Sequence, residues 1–122
     1  MKSYIDGFVL PVPKKNLVAY RKLAREAGKV WRKHGALDYR ECLVDDPENH
    51  WGGIPFAKLV GARPGETVAF SFIVYKSRAH RDLVNARVGK DPLMNDPKYK
   101  NRPIPFDLKR QAYAGFKVIV KV

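Results

Sequence analysis

The sequence predicts an α+β domain in the order β-α-β-β-α-β: a four-stranded antiparallel sheet with two helices on one face. Two observations carry this expectation. Apolar residues recur at helical spacing in two separate stretches, and β-branched and aromatic residues dominate the stretches before, between and after them. The length of 122 residues suits one domain that buries a core without disulfides or a structural metal.

Residues 4–10 read as the first strand, closed by Pro11-Val12-Pro13. Asn16 is placed as the N-cap of a helix over residues 16–34. Within it Leu17, Tyr20, Leu23, Ala24, Ala27, Trp31 and His34 share one face at 100° per residue, and Gly35 follows as a left-handed C-cap. Residues 36–44 alternate as the second strand. Residues 46–65 form a Gly- and Pro-rich connection, longer than most in compact domains, with a short strand or helical turn at 56–60. The third strand, 66–75, puts Val68, Phe70, Phe72 and Val74 on one face and Ala69, Ser71, Ile73 and Tyr75 on the other. Ser77 caps a second helix running to about residue 88. Residues 91–110 hold four prolines and are expected to be irregular with one helical turn. Residues 112–122 close the chain as the fourth strand. The order is that of the split βαβ, or ferredoxin-like, arrangement.

A sheet with one wet face alternates cleanly between apolar and polar residues. Strands one and three here are apolar on both faces, so something must cover the side the helices leave bare. A second copy of the chain is the simplest cover, which predicts a homodimer with two sheets packed into a barrel. The 24 Lys and Arg exceed the 12 Asp and Glu, a balance that attracts acidic ligands or polyanions. The single cysteine, Cys42, is read as a small buried thiol. The first residues, Met1-Lys2-Ser3-Tyr4-Ile5-Asp6, form no apolar signal-like run. No stretch approaches the roughly 20 apolar residues of a membrane span, so the expectation is a cytoplasmic protein with no membrane partner.

Several segments resemble the bacterial family DUF1428: Tyr4-Ile5-Asp6-Gly7-Phe8-Val9-Leu10-Pro11-Val12-Pro13, His34-Gly35-Ala36-Leu37, Tyr39-Arg40-Glu41-Cys42, Val74-Tyr75-Lys76-Ser77-Arg78-Ala79-His80-Arg81-Asp82 and Pro105-Phe106-Asp107. That resemblance implies a dimeric α+β barrel and leaves function open. In this superfamily, members that degrade haem use an Asn on the first strand, a Trp on the third and a His on the following helix. The nearest positions here are Asp6, Phe70 and His80, of which the histidine alone matches, so haem is not expected. Cofactor-free oxygenases and lactone isomerases share the fold and need an enclosed apolar pocket.

The leading functional expectation is a protein that binds or transforms a small organic molecule between sheet and helices. The pocket candidates are Asp6, Trp31, His34, Phe70, His80, Arg87 and Tyr113. Asp6 shares a strand face with Tyr4 and Phe8; His80, Leu83, Val84, Arg87 and Val88 are placed on the inward arc of the second helix. Two other readings stand beside this one. Asp6, paired with Arg87, and His80, satisfied by backbone, form a buried polar network, and Trp31 is core packing. A stability or assembly protein without a catalytic site is a further reading. A second class of function uses the basic face of the first helix, where Lys22, Arg25, Lys29 and Arg32 are candidates for binding RNA or DNA phosphates. Against it stand a solvated face of no special role and the lack of interleaved aromatics for base stacking. Asp45, Asp46 and Glu48 lack a calcium-loop pattern, and His34, His50 and His80 lack metal-ligand spacing, so neither a metal nor a cofactor is expected. His50-Trp51-Gly52-Gly53 is either a flap over a pocket or an ordinary surface loop.

Overall fold

The computed structural model describes residues 3–122; the reading of Met1 and Lys2 lies outside them. The elements are β1 (Tyr4–Pro13), α1 (Leu17–Lys33), β2 (Asp38–Leu43), α2 (Phe56–Leu59), β3 (Glu66–Tyr75), α3 (Arg78–Gly89), α4 (Pro97–Lys100) and β4 (Ala112–Lys117). Helices α2 and α4 are single turns, and short 3-10 turns occupy Lys14–Asn16 and Leu108–Arg110. The sheet is antiparallel throughout, in the order β2-β3-β1-β4, which is the ferredoxin-like architecture the sequence predicts.

Three boundaries differ from the sequence reading. Strand β1 runs through Pro11 and Pro13 to pair with Val68 and Glu66. Strand β4 covers β1 only from Tyr4 to Val9, so both prolines sit where β1 has a single neighbour and lacks no ladder donor. Strand β4 ends at Lys117, opposite Tyr4, and the tail continues through one bond, from the Val118 amide to the Ser3 carbonyl. Asn16 makes no cap bond. A 3-10 turn leads directly into α1, and the Asn16 side-chain Nδ2 donates instead to the Pro105 carbonyl at 3.1 Å. Ser77 caps α3 as predicted, accepting from the His80 amide at 3.1 Å.

The core lies between the helices and one face of the sheet. Leu10, Val12 and Ala69 pack with Tyr20 and Ala24 of α1; Ile73, Tyr75 and Ala36 pack with Val30 of α1 and with Val84 and Val88 of α3. At the end of α1, Gly35 takes φ +116°, a left-handed conformation that only glycine adopts cheaply. The Arg32 guanidinium donates to the carbonyls of Ala36 and Leu37 there. His34 pairs with buried Asp91 at 2.6 Å, and Lys33 reaches the same oxygen at 3.2 Å. The His34 bond, foremost, with the Leu93 amide and Lys33, holds the Asp91 carboxyl down at about 2. This pairing ties α1 to the turn after α3.

Residues 91–111 cross the helix side of the sheet and are pinned at both ends. Arg102 meets Glu26 of α1 at 2.6 Å, and Arg110 grips Glu66 of β3 at 2.6 and 2.9 Å. The opposite face of the sheet is apolar and half open: Phe70 is 41% and Phe116 55% exposed. The Phe56 ring of α2 meets Phe70 edge-on at 6.2 Å, so the 46–65 connection lies against this open face. Trp51 is fully exposed and covers nothing. Cys42, read as buried, is exposed, because β2 is an edge strand with nothing beside it in the protomer.

Helix α1 can approach β2 because residue 28 is glycine. A Cβ there would stand 2.7 Å from Cδ1 of the Tyr39 ring. Gly28→Ala is expected to destabilise the fold by about 1–3 kcal/mol through overpacking, despite the better helix propensity of alanine. Urea unfolding midpoints measure this; an unchanged or raised midpoint would show that the contact is slack.

Candidate ligand cavity

Between the sheet, α1 and the 91–111 segment lies a cavity of about 410 Å³. Phe8 and Ile73 of the sheet, Ala27 and Trp31 of α1, and Ile104 and Phe106 of the segment face it. Its existence follows from sequence: Ala24 and Ala27 are small where the helix crosses the sheet, and Met94 and Phe106 of the proline-rich segment reach the core at its edges without filling the gap. A second hollow of about 530 Å³ shares Phe8, Trp31, Ile73, Met94 and Lys100 with the first and reaches Asp6 and Tyr113. The two form one apolar space with a polar group at each end and with Lys100 and Arg102 lining it from the segment side.

At one end stands Glu41 of β2. One of its oxygens accepts from the Tyr20 hydroxyl at 2.7 Å, the other from the Tyr39 hydroxyl at 3.3 Å. Glu41 is open to solvent along the cleft, yet protein crowds it on the remaining sides. That desolvation raises its pKa above the ordinary carboxylate value, outweighing hydrogen bonds from Tyr20, Tyr39 and Ser71 that lower it. Both tyrosine hydroxyls are pushed up as well, first by burial and then by the charge of Glu41. A carboxyl whose hold on its proton is strengthened in this way is placed to exchange a proton with a bound molecule.

At the other end Asp6, 2% exposed, accepts from Arg81 at 2.7 Å and from the Tyr113 hydroxyl at 3.1 Å. Arg81 also reaches the Tyr113 oxygen at 2.9 Å and lies over the Tyr4 ring, 5.0 Å from its centre. Burial, then the bond to Asp6, raises the Tyr113 pKa.

Of the predicted site residues, Asp6, Trp31 and Tyr113 meet at this hollow. Trp31 both packs against the core and faces the space, with its indole N–H donating to Asn85 at 3.1 Å. Phe70 lies on the opposite face of the sheet, 5.8 Å from Phe72. His34 is engaged by Asp91 outside the cavity. His80 Nδ1 accepts from the Lys76 amide at 2.9 Å, closing the turn before α3, and burial chiefly lowers its pKa. The partner of Asp6 is Arg81, and Arg87 is exposed. The inward arc of α3 is centred on Arg81, Val84 and Val88; Leu83 and Arg87, both placed on that arc from the sequence, are exposed. Lys22, Arg25, Lys29 and Arg32 are all exposed along α1.

Sequence reasoning passed over Glu41, Tyr20 and Tyr39. A signal was present: Tyr39, Glu41 and Leu43 alternate on one face of a strand, so a carboxylate stands on a face otherwise destined for the helices.

Comparison with known proteins gives the lineage. A family model described as "Protein of unknown function (DUF1428)" matches residues 3–108. The chain belongs to the DUF1428 family. Among curated DUF1428-like relatives, the uncharacterized protein YbaA of Escherichia coli K12 and its counterpart in Shigella flexneri are each 38% identical over 119 residues, covering 97% of this chain and 97% of each relative. Among solved structures, a dimeric ferredoxin-like protein from an uncultured marine organism covers both chains fully at 11% identity with a TM-score of 0.59, a likeness of fold alone. Every cavity residue named above except Tyr113 lies within the DUF1428 match, which ends before β4 begins.

The raised pKa of Glu41 has a measurable consequence. The folded protein keeps this proton to a higher pH than the unfolded chain, so stability falls as pH rises from the ordinary value of 4.5 through the folded value. Glu41→Gln removes that loss. The variant is expected to gain stability relative to wild type at neutral pH, with the gain vanishing below pH 4.5. Denaturation curves across that range test it; a pH-independent difference would contradict the assignment.

Proposed function

We propose that this protein is a homodimer that binds a small, mainly apolar organic molecule in the cavity between sheet and helices, with the Glu41 carboxyl as its hydrogen-bonding anchor. The observation that carries the reading is one apolar space with a desolvated acid at its end, the composition expected of a small-molecule site. Tyr20 and Tyr39 orient that acid. The Asp6–Arg81–Tyr113 cluster closes the far end and excludes a second charged group from it.

The neutral fluorophore N-phenyl-1-naphthylamine tests the binding part. Its emission is expected to rise saturably with wild type, and Ala27→Phe, which fills the cavity, is expected to weaken binding by about tenfold or more while leaving the far-ultraviolet circular dichroism unchanged. Equal binding by both proteins, or none by either, would remove the proposal.

The open face of the sheet supports the dimer. Phe70, Phe72 and Phe116 line it, and exposed apolar patches of this kind mark interfaces; the marine neighbour, described as dimeric, supports the same reading. Sedimentation at micromolar concentration is expected to give a dimer for wild type and a monomer for Phe116→Arg. A wild-type monomer that stays folded would overturn it.

A further inference from the structure

A second concavity lies on the other side of α1, between that helix and edge strand β2. It encloses about 420 Å³, with Leu17, Tyr20, Tyr39 and Leu43 along its floor. Its helical wall carries Arg21, Arg25, Lys29 and Arg32, spaced by four, four and three residues and therefore in one row. Arg32 is committed to the carbonyls of Ala36 and Leu37. Arg21, Arg25 and Lys29 are exposed and make no ion pair among the described residues. Glu41 is the one acid lining the groove, and its oxygens are taken by Tyr20 and Tyr39. Like charges one helical turn apart destabilise a helix, and among the described residues no acid pairs with Arg21, Arg25 or Lys29.

We propose that this groove binds a small organic acid. Arg21, Arg25 and Lys29 hold its carboxylate or phosphate monoester, and its apolar body lies on the floor beside Leu17 and Leu43. Guanidinium forks match both acidic groups. The row faces a walled groove, and Tyr20 and Tyr39 are recessed with their hydroxyls tied to Glu41. No ring is therefore presented for a base to stack on, which favours a small acid over a nucleic acid. The groove shares Tyr20, Ala24, Tyr39 and Glu41 with the aromatic cavity, but the cations that define it line the groove alone and Ala27 lines the cavity alone.

Amide chemical shifts of the full chain, titrated with phenylacetate and with phenyl phosphate, test the proposal and separate the two acids. Benzyl alcohol supplies the body without charge, and a single-stranded RNA oligonucleotide supplies phosphates without the body. At least one of the two acids is expected to shift residues 17–32 and 39–43 saturably at low salt, with benzyl alcohol leaving them unmoved. Arg25→Gln with Lys29→Gln is expected to weaken that binding about tenfold or more at an unchanged or raised melting temperature; Arg21→Gln alone gives a smaller loss in the same direction. The proposal is overturned if neither acid moves these residues, if the variants bind as wild type does, or if RNA alone occupies the groove. Ala27→Phe, which blocks the neutral fluorophore, is expected to leave acid binding intact, so the two sites fail or survive independently.

Discussion

The seating of α1 across the sheet governs the rest of the molecule. Tyr20, Ala24 and Val30 pack the helix on β1 and β3, and two contacts with the edge strand set its distance there: the absent side chain of Gly28 over the Tyr39 ring, and the Tyr20 hydroxyl on Glu41. Between these contacts Ala24 is too small to fill the gap. The helix is thus close enough to bury a core and held off enough to leave hollow space on both flanks. The cavity, the groove and the environment of Glu41 all follow from that placement.

The two flanks differ in chemistry because an amphipathic helix presents different faces to them. Toward the 91–111 segment the walls are Ala27, Trp31, Ile104 and Phe106, and charge is confined to the ends and rim. Toward β2 the wall is a row of cations. Glu41 lines both spaces, held by hydrogen bonds that keep it from joining the cations. Burying a carboxylate is costly unless it is paired. At the opposite end of the sheet Asp6 meets that requirement with Arg81; Glu41 meets it with tyrosines and a raised affinity for its proton. One acid is neutralised by a countercharge and the other is left able to take part in proton exchange.

Much of the fold was legible in the sequence. The helix face of Leu17, Tyr20 and Ala24, the alternation of residues 66–75 and the cap at Ser77 each report a local period or a local bond, and such signals survive into the structure unchanged. The site was less legible. Asp6, Trp31 and Tyr113 were recognisable as polar or amphipathic groups on inward positions. Glu41 and Arg81 were hidden by their type, since charged residues are usually placed in solvent and the partners that hold these two lie 20 or more residues away. Arg87 and Leu83 show the reverse error: the turn of α3 about its axis is fixed by what it packs on.

What the sequence determined by itself is therefore the order of elements, the apolar character of both sheet faces and the basic row along α1, all properties of spacing and composition along the chain. Tertiary structure alone decided that Asp6 pairs with Arg81, that Asn16 anchors Pro105 where a helix cap was expected, that the prolines of β1 lie beyond the reach of β4, and that two hollows flank α1. Those outcomes depend on which distant segments are brought together and how closely. Distances across a packed core are set by the shapes of side chains that meet only after folding.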